Sequence, residues 1–266
     1  MILLVWAALA GGPPPAPPPG DPVRGRALLT ATKDSLPGHV GNALRCTSCH
    51  LDDGRRPHAM PWVGVLGRYP QVRPREAREV SIEARVNGCI ERSLAGRALP
   101  PGGRDMRDIV AYFGTLAQPA GAGPEAIGAG TRRLAPLVPD TARGRALYAA
   151  ECARCHGADG AGTALATAVW GAGAYNIGAG MARLYTAAAF IQANMPFDRP
   201  GSLTPQQAHD VAAYINAQPR QDFPRKHRDY PRGDAPPDAA YATDAAPGAD
   251  RPVAPRPSRL LPPAYR

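Results

Sequence analysis

Lysine is almost missing from this 266-residue chain: Lys33 and Lys226 are the only two among 31 basic residues, and the rest are arginine. Aromatic residues are also scarce, at 6%, although the hydrophobic share of 44% is ordinary. Cores built from so few large side chains have room for a sizeable apolar group at their centre. No apolar run approaches the ~20 residues that a membrane-crossing helix needs, so no transmembrane segment is expected. Despite a net charge of +9, the sequence has no nucleic-acid-binding motif and no basic stripe interleaved with aromatics, which argues against a nucleic-acid partner. The opening Met1-Ile-Leu-Leu-Val-Trp-Ala-Ala-Leu-Ala10 lacks a basic leader, yet it reads as the apolar part of a secretory signal, with Ala8-Leu9-Ala10 fitting a cleavage site. Export to the periplasm is the expectation.

What is present is a unit used twice. Val23-Arg-Gly-Arg-Ala-Leu-Leu29 returns as Ala142-Arg-Gly-Arg-Ala-Leu-Tyr148, and Met106-Arg-Asp-Ile-Val-Ala-Tyr112 is echoed by Ala208-His-Asp-Val-Ala-Ala-Tyr214. The apolar positions Ile109, Val110 and Phe113, and later Val211, Ala212 and Ile215, have helical spacing, and Thr204-Pro205 supplies a cap and a first-turn proline. Residues 1–20 are expected to be signal-like and Pro-rich. Residues 21–118 are expected to form a first helical domain, 119–139 a Gly/Ala/Pro linker and 140–219 a second domain. Residues 220–266 read as an extended Pro-rich tail, disordered after about 242, although Phe223, Tyr230 and Tyr241 could dock on the body. Arg24 lies 22 residues before Cys46, whereas Arg143 lies nine before Cys152, so the first unit carries an insertion at 31–43. Charge is uneven as well: residues 21–118 hold 15 basic and 10 acidic side chains, with six arginines from Arg68 to Arg92. A basic first unit would attract an anion or an acidic partner.

Four of the five cysteines sit in Cys46-Thr-Ser-Cys49-His50 and Cys152-Ala-Arg-Cys155-His156. Two thiols at this spacing can add across the vinyl groups of a haem while the adjacent histidine reaches the iron. Each motif occupies the same place in its repeat. A thioredoxin-like pair would need a βαβ setting, and a zinc site would need a second ligand pair nearby; neither is present. The expectation is an all-α fold of two tandem cytochrome c-like domains, each around one covalently bound haem c, with His50 and His156 as proximal ligands.

Each iron then needs a sixth ligand. In the second unit Met195, followed by proline, lies 19 residues before Tyr214, with Met181 as its competitor. No lysine is available there. The corresponding place in the first unit holds the fifth cysteine, Cys89, 23 residues before Tyr112. Met60, His58 and His39 are the alternatives. A thiolate would lower the potential of the first iron and a methionine would raise that of the second, so electrons would run from the first unit to the second. Arginines around Cys89 would keep its sulfur ionised and suit a sulfur oxyanion. A solvated helix in which Arg and Glu pair with one another is the competing reading, and the preferred one for Arg78.

The segment Arg85-Val-Asn-Gly-Cys89-Ile-Glu-Arg-Ser93-Leu-Ala-Gly96 resembles the di-haem thiosulfate dehydrogenases, the tetrathionate-forming c-type cytochromes. Gly178-Ala-Gly-Met181, Asn194-Met195-Pro196 and Phe223-Pro…Asp229-Tyr230-Pro231…Tyr241 support this over about residues 24–241. The resemblance implies that Cys89 is the axial ligand of the active-site haem, that Arg75, Arg85 and Ser93 serve the active site, and that Met195 ligates the other haem. It also implies oxidation of two thiosulfates to tetrathionate, with a soluble cytochrome c as acceptor. Where some relatives carry a lysine before the methionine this chain has Asn194, which implies a plain His/Met haem. Leu94-Ala95 replaces the family's usual Met-Asn. A non-catalytic di-haem carrier, or a haem subunit of a thiosulfate-transferring sulfur-oxidation system, are the other functions compatible with these motifs.

Overall fold

The computed structural model describes residues 19–245; the signal-like stretch and the end of the Pro-rich tail lie outside the described residues. In chain order the elements are α1 (Pro22–Thr30), α2 (Thr32–Ser35), α3 (Leu51–Gly54), β1 (Gln71–Arg73), β2 (Arg78–Val80), α4 (Ile82–Arg92), α5 (Arg104–Gly114), α6 (Thr141–Leu147), α7 (Ala153–His156), α8 (Leu184–Asn194) and α9 (Pro205–Asn216).

The sequence repeat is also a repeat of geometry. The Asp21 carboxylate caps α1 by accepting from the backbone N–H groups of Val23 and Arg24, and Asp140 caps α6 by accepting from those of Ala142 and Arg143. The backbone N–H of Asp21 donates to Asp108 Oδ1 at 2.8 Å, and that of Asp140 to Asp210 Oδ1 at 2.7 Å. Arg24 pairs with Asp108 and Arg143 with Asp210. Gly25 explains why the motif needs a glycine: a Cβ there would lie 1.9 Å from the carbonyl oxygen of Asp108, and one on Gly144 would lie 2.0 Å from that of Asp210. Thus α1 crosses α5, and α6 crosses α9, backbone against backbone.

Apolar side chains gather in two clusters. One holds Leu28, Leu29, Trp62, Ile90, Met106, Ile109, Tyr112 and Phe113; the other holds Tyr148, Trp170, Leu184, Val211 and Ile215. The first also takes in Tyr175, Ile177 and Ala179 from beyond the linker, and Phe223, Ala240 and Tyr241 from beyond α9. Phe223, Tyr230 and Tyr241 are all buried, so the segment to residue 241 docks on the body. The 31–43 insertion supplies α2 and a buried Asn42, whose Nδ2 donates to the carbonyls of Ser93 (2.8 Å) and Ala174 (2.9 Å). Among the described residues no helix is long and apolar enough to cross a membrane.

The all-α expectation misses a small antiparallel hairpin in which Gln71 faces Val80 and Arg73 faces Arg78. Pro70 and Pro74 remove backbone donors that a helix would need, and Ala77 takes a left-handed φ of 50° in the turn. Arg78 therefore stands exposed on a strand, not on a solvated helix. The helix starts only after Ser81, whose hydroxyl accepts from Ala84 N at 3.2 Å.

Candidate functional site

In the first unit Cys46 opens a 3₁₀ turn (Cys46–Ser48) that leads through Cys49 into His50, and Thr32 Oγ1 accepts from the Cys46 N–H at 3.0 Å. The His50 ring stacks on Trp62 with centroids 4.8 Å apart. Its Nδ1 lies 2.6 Å from the Met60 carbonyl oxygen. A carbonyl only accepts, so Nδ1 carries the proton and the lone pair resides on Nε2, the state in which imidazole binds a metal. Cys89, on α4, is an electrostatic neighbour of His50. Met60 thus presents its carbonyl to the Nδ1 side of the ring. His39 is half-buried and bonded through Nδ1 to the Arg97 carbonyl at 2.8 Å. His58, like Met60, has a left-handed backbone (φ 63° and 53°). Such conformations cost about 1–3 kcal/mol each unless the surroundings enforce them. Here the N–H groups of His58 and Met60 donate to Gly128 and Gly130, both at 2.8 Å.

Three thiols share this interior with different electrostatics. Burial pushes Cys46 and Cys49 up to about 12. Burial acts on Cys89 in the same direction, but the Arg85 guanidinium, aided by the neighbouring His50, outweighs it and brings the thiol down to about 6. The Arg85 NH1 group donates to Cys89 Sγ at 2.8 Å, and the Tyr69 hydroxyl lies within reach of the same guanidinium. Arg85, Cys89, Arg92 and Ser93 stand at i, i+4, i+7 and i+8, so they share one face of α4. Arg75 makes its contacts elsewhere. Its guanidinium donates to the Gly178 carbonyl, lies 5.3 Å from the Tyr230 ring centroid and sits 3.7 Å from Asp229. Of the expected active-site residues, Cys89 is bonded to Arg85 and neighbours His50, Ser93 is on the same helical face, and Arg75 belongs to an adjoining cluster.

The second unit repeats the arrangement. A π turn (Tyr148–Cys152) joins α6 to α7, carrying Cys152, Cys155 and His156. His156 Nδ1 lies 2.8 Å from the Thr167 carbonyl, which again leaves Nε2 for a metal. Met195 closes α8 and is half-buried against the second cluster, as is Cys152. Met181 packs against both clusters, and its carbonyl accepts from Asn216 Nδ2 at 3.0 Å. Paired thiols, a histidine polarised through Nδ1, sulfur side chains beyond it and apolar surroundings suit a covalently held haem at both sites.

Sequence reading missed the tryptophan–tyrosine pairs that recur in the two units. Trp62 meets Tyr112 edge-on at 6.2 Å, and Trp170 meets Tyr214 edge-on at 5.8 Å. Gly54 and Gly160, each four residues after its histidine, have left-handed backbones, and a Cβ there would also strike Trp62 at 1.9 Å and Trp170 at 2.2 Å. The signal was there: a His-x₃-Gly followed by a tryptophan in both halves. The grouping of Arg92, Asp229 and Tyr241 had no such signal, since its members are far apart in the chain.

A helical frame with thiol pairs next to metal-ready histidines defines a c-type cytochrome, and residues 139–215 match the family described as cytochrome C oxidase, cbb3-type, subunit III. The thiosulfate dehydrogenase of Psychrobacter arcticus is 43% identical over 224 residues, covering 81% of this chain and 68% of that protein. That of Allochromatium vinosum is 42% identical over 212 residues, covering 76% and 78%. Among solved structures, the as-isolated thiosulfate dehydrogenase (TsdBA) of Marichromatium purpuratum is 40% identical with a TM-score of 0.70, over 77% of this chain and 47% of that one. The chain belongs to the thiosulfate dehydrogenase family.

Proposed function

We propose that this chain is a periplasmic di-haem oxidoreductase that joins two thiosulfates into tetrathionate and passes the electrons to a soluble cytochrome c. The observation that carries this reading is the Arg85–Cys89 contact of 2.8 Å beside His50: a cation-held sulfur in reach of a metal-ready imidazole. Family membership supports the substrate.

In this reading residues 21–118 and 140–219 are two cytochrome c-like domains joined by 119–139, and 220–266 is an appended segment. Cys46, Cys49, His50 and Cys89 would hold one haem, and Cys152, Cys155, His156 and Met195 the other. Haem, when bound, supplies a one-electron acceptor at each site, so the pair matches the two electrons released. Union of two thiosulfates forms one S–S bond, turns four negative charges into two, releases two electrons and needs no proton. Arg85 and Arg75 hold sulfonate groups, and Ser93 adds a hydrogen bond. Cys89 acts as the sulfur nucleophile. Its thiolate and the terminal sulfur of one thiosulfate form a Cys–S–S–SO₃⁻ link with loss of two electrons; a second thiosulfate then displaces the thiolate and leaves as tetrathionate.

The test is an anaerobic assay of purified holoprotein with thiosulfate, following haem reduction and tetrathionate together; haem reduction without tetrathionate would overturn the reading. Cys89→Ala separates it from a non-catalytic carrier. An enzyme loses at least about a hundredfold in turnover, whereas a carrier still relays electrons.

A further inference from the structure

Asp229 is a buried carboxylate that the mechanism above leaves without a task. It follows the second repeat unit and is only 5% exposed. Arg92 grips it with two bonds of 2.8 and 2.7 Å, and the Tyr241 hydroxyl donates to Oδ2. Arg75 stands 3.7 Å away, an ion pair but too long for a hydrogen bond. Each guanidinium also lies against an aromatic ring of the same segment, Arg92 at 4.1 Å from the Phe223 centroid and Arg75 at 5.3 Å from that of Tyr230. The neighbouring Arg225–Glu91 pair balances itself.

Two guanidinium groups therefore share one carboxylate, and one positive charge is left over in a largely buried place. Such a charge is costly unless an anion answers it. Arg92 lies on the face of α4 that carries Cys89 and Arg85, so the surplus charge borders the proposed reacting sulfur. Were Asp229 only fastening the terminal segment to the body, the bidentate Arg92 would suffice without a second cation 3.7 Å away whose own hydrogen bond goes to the Gly178 carbonyl.

We propose that Asp229 is a positioning residue of the sulfur-oxyanion site: through Arg92 and Arg75 it fixes the one surplus positive charge at which a sulfonate end of the substrate docks. This rests on the reading of Arg75 as a sulfonate-holding residue.

The experiment uses full-length holoprotein with thiosulfate as substrate and ferricyanide as acceptor. Asp229→Asn is expected to raise the thiosulfate KM about tenfold while kcat stays within about threefold and the haem spectra are unchanged. Asp229→Glu, which keeps the charge, recovers most of the loss. A lower melting temperature with a wild-type KM makes Asp229 a simple fastener and overturns the proposal. If Asp229→Asn does not accumulate, Tyr241→Phe removes one bond to the same carboxylate, and a KM raised by about twofold or more supports the proposal where an unchanged one overturns it. Arg75→Gln tells the two layers apart. An unchanged KM in that variant sinks the sulfonate role of Arg75 and this inference with it; a raised KM there beside a wild-type value in Asp229→Asn sinks only the role of Asp229.

Discussion

Asn194 Nδ2 donates to the carbonyl oxygen of His58 at 3.3 Å, tying the residue before Met195 to the turn whose Met60 carbonyl orients His50. The same Nδ2 bonds to the Phe190 carbonyl at 3.0 Å, and the side chain is fully buried with its Oδ1 unpartnered. The Met195 end of α8 is thereby anchored on the first unit. Asn194→Ala is expected to cost about 1–3 kcal/mol in denaturant unfolding. In the proposed reading it should also weaken ligation by Met195, read as earlier loss of the near-infrared band of a ferric Met-ligated haem on warming. An unchanged band and midpoint would remove this link from the account.

Gly25→Ala and Gly144→Ala each place a methyl group about 2 Å from a backbone oxygen of the crossing helix. Backbone cannot yield as a flexible side chain can, so losses above about 3 kcal/mol are expected. Haem content after purification and thermal melts followed at the Soret band measure them. Alanine at Gly38, where a Cβ meets nothing within 4 Å, is the control and should be near neutral.

Acid should loosen both helix crossings. Burial alone would raise the carboxyls of Asp108 and Asp210, but hydrogen bonds from backbone and arginine prevail and hold both below the ordinary 3.8. A depressed folded-state value means that the stabilisation is complete above the ordinary carboxylate range and is lost as pH falls through the lower, folded-state value. Asp108→Asn is expected to destabilise the protein at neutral pH and to flatten the fall in melting temperature below about pH 4. An Asn variant with the wild-type acid profile would contradict it.

Met60→Leu is expected to leave the spectrum and turnover of the first site unaltered, because Met60 serves His50 through its carbonyl. If Cys89 ligates that haem as proposed, Cys89→Met should raise its reduction potential, since a neutral thioether replaces an electron-rich thiolate. Redox titration of the two variants side by side distinguishes the ligand from its neighbour.

Much of this was legible in the chain before any coordinates. The doubled Arg-Gly-Arg-Ala-Leu stretch announced a repeated helical unit, but that its glycine serves a helix crossing shows only in the fold. The Cys-x-x-Cys-His motifs announced their chemistry because covalent attachment fixes spacing. The hairpin at 71–80 was harder, since its Arg/Glu content suits a helix and only Pro70 and Pro74 object. Arg75 and Arg92 were visible as charges near Cys89 in sequence. Their common partner Asp229 lies well over a hundred residues away from each, and no local periodicity encodes such a meeting. Asn194 likewise gives no sign in sequence that it bonds to His58.

Phe223, Ala240 and Tyr241 complete the apolar cluster that begins with Leu28 and Leu29. Synthesis must therefore run almost to the end of the described chain before that earlier interior can be sealed. A chain that lacked residues 223–241 would leave one side of that interior uncovered.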